Sequence, residues 1–294
     1  MKASSGIRKS VGISVIIIHF APKDTYLEVL KRTIRSIRTQ AFDGDVEILV
    51  ADDGSLWSQC LLETGEEFKA CDSTAIGAQP LLADLSVDHY LLARTSERYN
   101  KAKLWNRAAG IAKHDKLVFL DDDHPFADPK SLARYSELLD RYNFVIGRIR
   151  NPDGTFRTYS HRTVQGANFA MQSRLLEAVG GFGEYTSEWG RGEDSDIFWK
   201  VYRLWKESSG QQVQAYYAGN IVTEDVCSRR WEGCAGNEAM FIEGFRKMHG
   251  VMPHDNPSRH KRDWVEVSWA DKLSDPFWRL RNLFFRTLQC KSKR

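Results

Sequence analysis

The chain has 294 residues, 42% hydrophobic and 28% charged, enough to bury a sizeable core in one large domain or one domain with an appendage. Its net charge of +3 is too small to argue for wholesale nucleic-acid binding, and its five cysteines form no CxxC pair and no regular zinc spacing, which points to a reduced, cytoplasmic setting. There is no run of 18 apolar residues and no signal-peptide h-region, so neither a membrane span nor a secretory leader is expected.

The first apolar run, "VGISVIIIHF", is short, β-branched and continuous, the pattern of a strand buried on both faces. "YLEVLKRTIRSIRTQ" follows with apolar residues at 27, 30, 34 and 37, a helical stripe. "DVEILVADDGS" predicts a second strand ending in a turn, residues 100–112 ("NKAKLWNRAAGIA") a helix, and "KLVFLDDD" a third strand. Strand, helix, strand, helix, strand implies βαβ units and a mostly parallel sheet, in which ligands bind beyond the carboxyl ends of the strands. "ADDGS" and "DDDH" both fall at those ends. Further on, residues 143–172 predict short strands around a "PDG" turn. Residues 174–205 predict a short helix, a glycine-rich loop and a second helix, and "QAYYAGNIVTEDV" a last strand.

Three acidic clusters carry the chemistry. On a strand, residues two apart point the same way, so Asp121 and Asp123 share a face and Asp122 points away. Two hard oxygen donors, completed by water and phosphate, suit Mg2+ or Mn2+, with His124 as a nitrogen donor beside them. In "ADDGS", an aspartate at a strand end can accept from a base N–H or a ribose hydroxyl, although an ordinary Asp-Gly turn has the same appearance. In "EWGRGEDSD", Glu193, Asp194 and Asp196 occupy the first turn of a helix, where the dipole favours acids. Directly after a glycine-flanked loop with Trp189, they also suit a positioned base.

In this order and spacing, "ADDGS", "NKAKLWNRAAG", "FLDDDH", "GGFGE" and "WGRGEDSD" resemble the family 2 glycosyltransferases of GT-A fold, over roughly residues 12–225. The resemblance implies an α/β fold with a Rossmann-like, mostly parallel central sheet flanked by helices. It implies a catalytic domain over 1–225, with a nucleotide-sugar half at about 10–125 and an acceptor half at about 126–225, and a C-terminal helical extension over 226–294. The implied reaction is metal-dependent inverting transfer of a hexosyl or N-acetylhexosaminyl unit from a nucleotide sugar, with UDP expected, to a hydroxyl of a glycan or lipid-linked acceptor. Asp194 would be the general base and Glu193 its acidic neighbour. Asp52, Asp53, Asn100, Lys103, Arg107, Asp121 and Asp122 would hold the donor. Asp121 and Asp123 match the family's DxD and would bind Mn2+ or Mg2+. Where many relatives carry a further histidine ligand, this chain offers Glu224, His249 or His254. Asn168, Trp189, the 181–185 segment, Arg230 and Trp231 are expected on the acceptor side.

Two other readings stand beside this one, a sugar-phosphate nucleotidyltransferase and a non-catalytic binding module. The first lacks its glycine-rich basic loop after the first strand, where this chain reads "HFAPKDTYLE"; the second fits poorly with three intact acidic clusters. The tail, residues 275–294, predicts a cationic amphipathic helix that either lies in a membrane interface or packs on the domain.

Overall fold

The computed structural model describes residues 12–20, 25–55, 68–72, 86–93, 101–156, 167–227, 238–253 and 264–268. Asn100, Arg230, Trp231, His254 and the 275–294 tail lie outside the described residues.

The apolar runs form strands and the 3.6-period stripes form helices. Strand β1 (Gly12–His19) is buried along its whole length. It lies between parallel neighbours β2 (Asp45–Asp52) and β5 (Lys116–Asp121). Helix α1 (Thr25–Arg38) buries the predicted stripe of Leu27, Leu30, Ile34 and Ile37. Helix α2 is Lys101–Ile111 and helix α3 is Ser131–Leu139.

Between β2 and α2 lie two strands for which the sequence reading offers no element, β3 (Phe68–Asp72) and β4 (His89–Ala93). Each is five residues long, too short for periodicity to separate from a loop. The second half supplies β6 (Phe144–Arg150), β7 (Asn168–Gln172) and β8 (Ala215–Glu224), with helices α4 (Ser173–Ala178), α5 (Thr186–Trp189) and α6 (Glu193–Glu207).

All nine strands join one sheet in the order β3-β4-β2-β1-β5-β7-β6-β8-β9, where β9 is Val265–Val267. Five of the eight pairings are parallel, so the sheet is mostly parallel, as expected. Antiparallel β7 sits between β5 and β6 and joins the two halves. Successive residues of β1 feed opposite cores. Ile16 and Ile18 pack with Trp105 of α2 and Phe198 of α6, whereas Val15 and Ile17 pack with Leu30 of α1 and Tyr135 of α3.

The segment after 226, expected as a separate extension, is joined to this core where it is described. Strand β9 pairs with β8, and helix α7 (Glu238–His249) buries Phe241 and Phe245 in the same cluster as Trp264 and Phe144. Burial of a large apolar side chain contributes about 1.5–3 kcal/mol, so these three aromatics belong to the stability of the domain itself. Among the described residues, no helix is long and apolar enough to cross a membrane.

Candidate functional site

The register of β1, β2 and β5 brings three strand ends level. His19 pairs with Asp52, and Ile18 with Asp121. Past Asp121 the chain stays on β1 for one more residue, as Asp122 N–H donates to Ile18 O (3.1 Å). It then turns, with His124 N–H donating to Asp121 O (3.2 Å).

Asp122 faces the far side of the sheet. It is fully buried, its Oδ2 is 2.5 Å from His19 Nδ1, and its carbonyl accepts from Thr33 Oγ1 at 2.5 Å. It ties the loop to β1 and α1, and its expected place among the donor-binding residues is corrected: the carboxylate is already engaged inside the protein.

Asp121, Asp123 and His124 converge, each offering a ligand atom within 4.8 Å of the others. Asp123 and His124 are only 2% and 1% exposed. Asp123 Oδ1 lies 2.6 Å from His124 Nδ1. An ionised carboxylate only accepts, so Nδ1 is the donor in that contact, and in the neutral imidazole Nε2 then carries the lone pair. Asp123 Oδ2 and His124 Nε2 are both buried without a hydrogen-bond partner among the described residues. Two orphaned buried atoms, one of them on a histidine oriented through its other nitrogen, and the Asp121 carboxylate beside them fit a divalent cation. The loop leaving β8 closes on the same place. Val226 N–H donates to Asp123 O (3.1 Å), and the Cys227 thiol is pushed up by burial and by the Asp123 and Asp225 carboxylates.

Of the further metal ligands proposed from the sequence, Glu224 and His249 do not join this cluster. Glu224 pairs with Arg150 and, at 3.4 Å, with Arg32. His249 Nε2 lies 2.9 Å from Asp196 Oδ1, with its ring against Phe245. Each side chain is committed to a partner on another element.

Opposite the cluster, Lys101 opens helix α2. Its side chain is 6% exposed, and its ammonium lies 2.6 Å from Asp121 Oδ1, 3.4 Å from Glu193 Oε1 and 4.3 Å from the Trp105 ring centroid. Burial alone would push this lysine down. The Asp121, Glu193 and Asp194 carboxylates outweigh it and hold the group above the usual lysine range. Glu193 is raised, chiefly by burial and against the pull of Lys101. Lys101 thus joins the acidic end of β5 to the first turn of α6, a link the sequence reading missed. A signal was present, since Lys101 shares the apolar stripe of Leu104, Trp105 and Ala108, and a lysine on a buried stripe requires an acidic partner. Removing one member of a buried charge set leaves the others uncompensated. Lys101→Met is therefore expected to cost about 3 kcal/mol, read as a lower urea midpoint at unchanged slope.

Helix α6 starts after Gly192, whose φ of +104° and missing Cβ are both needed, because a Cβ there would meet Phe241 at 2.4 Å. The turn residues then divide their roles. Glu193 is buried against Lys101, whereas Asp194 is half-buried, with Oδ1 accepting from Ser195 N–H at 2.6 Å. Asp196 is fully buried and holds neighbouring elements together. It accepts from Gly183 N–H (2.8 Å) and Tyr185 O–H, and pairs with Lys200 (2.8 Å) and His249 (2.9 Å).

Burial would raise the Asp196 pKa, but these donors outweigh burial and hold it below the ordinary aspartate value. A depressed native pKa means that the unfolded chain takes up the proton first, so this contribution is full above the unfolded value and lost as the pH falls below it. The expected result is a drop in urea midpoint below about pH 4 that is smaller in Asp196→Asn, with the variant weaker than the wild type at pH 7.

Three more expected site residues are internal. Asp52 is fully buried, with Oδ1 accepting from Ser55 N–H and Oδ2 from Tyr90 O–H, each at 2.8 Å. It shapes the turn, which Gly54 completes at a φ of +84°, and leaves half-buried Asp53 as the more accessible aspartate. Asn168 is fully buried, accepting from Tyr135 O–H (2.7 Å) and donating to Arg148 O (3.0 Å), which removes it from the acceptor side. Trp189 is 7% exposed and packs between Tyr185, Phe241 and Phe245. It seats α5 on α7 instead of facing an acceptor. The 181–185 segment is clipped to α2 by Asn106, which accepts from Phe182 N–H (2.8 Å) and donates to Phe182 O (2.9 Å). Lys103 and Arg107, half-buried and exposed, lie one turn apart on α2.

No protein-family model and no curated protein matches the sequence. Solved structures do resemble the fold. The mannosyltransferase PcManGT from Pyrobaculum calidifontis, in complex with GDP-Man and Mn2+, superposes with a TM-score of 0.53 at 19% identity, over 84% of this chain and 68% of that one. TarS 1-349 of S. aureus in complex with UDP gives 0.46 at 13% identity, over 84% and 74%. Its complex with UDP-GlcNAc gives 0.44 at 14%, over 72% and 55%. The chain thus has the α/β fold seen in the Pyrobaculum mannosyltransferase.

Proposed function

We propose that the chain is a metal-dependent inverting glycosyltransferase of the family 2 type, moving a sugar from a nucleotide sugar to a hydroxyl of a glycan or lipid-linked acceptor. The observation that carries the reading is the juxtaposition at one sheet end of Asp121, Asp123 and His124 with Lys101 and the Glu193–Asp194 turn. The shared fold with a mannosyltransferase solved with GDP-Man and Mn2+ supports it.

Asp121, Asp123 and His124 would hold Mn2+ or Mg2+, which supplies positive charge against a leaving diphosphate. Asp53, Lys103 and Arg107 would face the nucleotide. The acceptor oxygen bonds to the anomeric carbon on the face opposite the diphosphate as the bond to that diphosphate breaks. The acceptor proton passes to Asp194, the more accessible carboxylate of the α6 turn. Glu193, neutralised by Lys101, keeps that turn against the end of β5.

The test is release of nucleoside diphosphate from UDP-, GDP- and dTDP-sugars with Mn2+, repeated with EDTA. Turnover with one donor, abolished by EDTA and restored by metal, is expected. No turnover, with no thermal stabilisation by any nucleotide and Mn2+, would leave a non-catalytic module. A ligand at 100 times its dissociation constant should stabilise by about 2.7 kcal/mol.

A further inference from the structure

Strand β6 alternates between the two cores. Phe144 and Ile146 lie on the side of α2 and α6, and Val145 on the side of α3. A Cβ on Gly147 would meet the side chains of Asn168 and Tyr135 on the α3 side, so Arg148 projects towards α2 and α6, the side of Lys101 and Glu193. The extra residues of the β6–β8 register shift lie on β8, which leaves this alternation intact. Ile146 pairs with Phe169 of β7, and Leu120 of β5 pairs with Asn168. Continuing both ladders puts Arg148 and Asp121 on either side of Ala167, two strand spacings or about 10 Å apart.

The surroundings of Arg148 differ from those of three nearby cations. Lys101, Lys200 and Arg150 each meet a carboxylate. Arg148 forms no ion pair among the described residues; its guanidinium lies 3.7 Å from the ring centroid of Phe156. Phe156 is brought back over the strand by the turn at residues 151–155 and bridges to Arg150. Arg148 Nε is buried and has no hydrogen-bond partner among the described residues. A guanidinium fixed on an aromatic face, with its Nε edge unsatisfied, presents the parallel N–H pair that grips two oxygens of a carboxylate or phosphate in two hydrogen bonds.

We propose that Arg148 binds an oxyanion carried by the acceptor, a phosphate or a sugar carboxylate, on the β6 side of the site. This rests on the transferase reading and adds to it the chemical class of acceptor. The β5 end already has the Asp121, Asp123 and His124 cluster, whose metal would meet the donor's diphosphate, whereas β6 and the 151–156 turn belong to the other half of the chain.

The experiment is an NMR titration of the arginine Nε–H signals of the full chain with Mg2+ and saturating UDP or GDP, the Arg148 signal being assigned by its loss in Arg148→Lys. Methyl phosphate and glucuronate are the two probes, and methyl glucoside is the neutral control. A saturable shift and slower solvent exchange of the Arg148 signal with methyl phosphate alone supports a phosphate-bearing acceptor. The same change with glucuronate alone supports an acidic sugar, and methyl glucoside should do nothing. Arg148→Lys should weaken binding of the effective anion about tenfold while nucleotide affinity by calorimetry stays within about twofold. Nucleotide binding with no response of Arg148 to either anion overturns the inference and spares the transferase reading. A response to the nucleotide itself, with nucleotide affinity lost in Arg148→Lys, overturns it by moving Arg148 to the donor. Failure of every nucleotide to bind sinks the transferase reading instead, and the same titration on the nucleotide-free chain still decides whether Arg148 holds an oxyanion.

Discussion

Asp123→Ala is expected to abolish divalent-metal binding and to lower sugar transfer at least a thousandfold, roughly the upper end of what loss of one preorganised charge-stabilising group costs. The residue has one carboxylate oxygen on His124 and the other buried without a partner among the described residues. Its removal therefore takes away a ligand and the acceptor that orients a second one. Its main chain is held independently by Val226 N–H, so the fold should survive with a stability change of about 1 kcal/mol. Mn2+ binding by electron paramagnetic resonance and the thermal midpoint check the two parts separately. A folded variant that still turns over at a near-normal rate in Mn2+ would remove the cluster from the chemistry.

Asp194→Asn should lower turnover about a hundredfold or more, the range for loss of a general base, with donor affinity nearly unchanged. The two neighbouring acids differ in what they have left to offer. Glu193 is spent on Lys101, while Asp194 is half-buried, its Oδ1 bonded to the next backbone N–H. Asparagine keeps that hydrogen bond through its own oxygen and loses the capacity to take a proton. Normal turnover with weak donor binding would transfer Asp194 to the nucleotide. A matched Glu193→Gln should instead lower stability through Lys101, which separates proton transfer from support of the turn.

The sequence was most legible where one rule dominates. A continuous β-branched run identified β1, apolar runs ending in acidic turns identified β2 and β5, and alternation along "LDDDH" separated Asp122 from its neighbours, as the structure does. Reading failed where a side chain's environment is set by elements far along the chain. Trp189 beside two glycines looks exposed until Phe241 and Phe245 arrive from α7. Glu224 and His249 have the chemistry of ligands, but Arg150, Arg32 and Asp196 reach them first. Asn168 is polar at a strand start, yet Tyr135 and two carbonyls enclose it. The short edge strand β3 lacks the length that periodicity needs, and α7 was lost in a tail read by composition alone.

The central place of β5 governs how the chain can be assembled. Its partner β1 lies about a hundred residues earlier, with Ser14 opposite Leu117, and its other neighbour β7 closes on it only after the 144–156 segment has been made. During synthesis β2 can pair with β1 early, but the other edge of β1, buried in the finished sheet, must wait for β5. Such long loop closures precede the contacts that reward them, so refolding should be slow, in the millisecond-to-second range or beyond, and prone to association at high protein concentration. A fragment cut near residue 125 would keep β5 but leave one edge of it, and the faces of Trp105 and Phe119 that meet Phe169, open to water. The piece ending near residue 125 should therefore not be recoverable in soluble form.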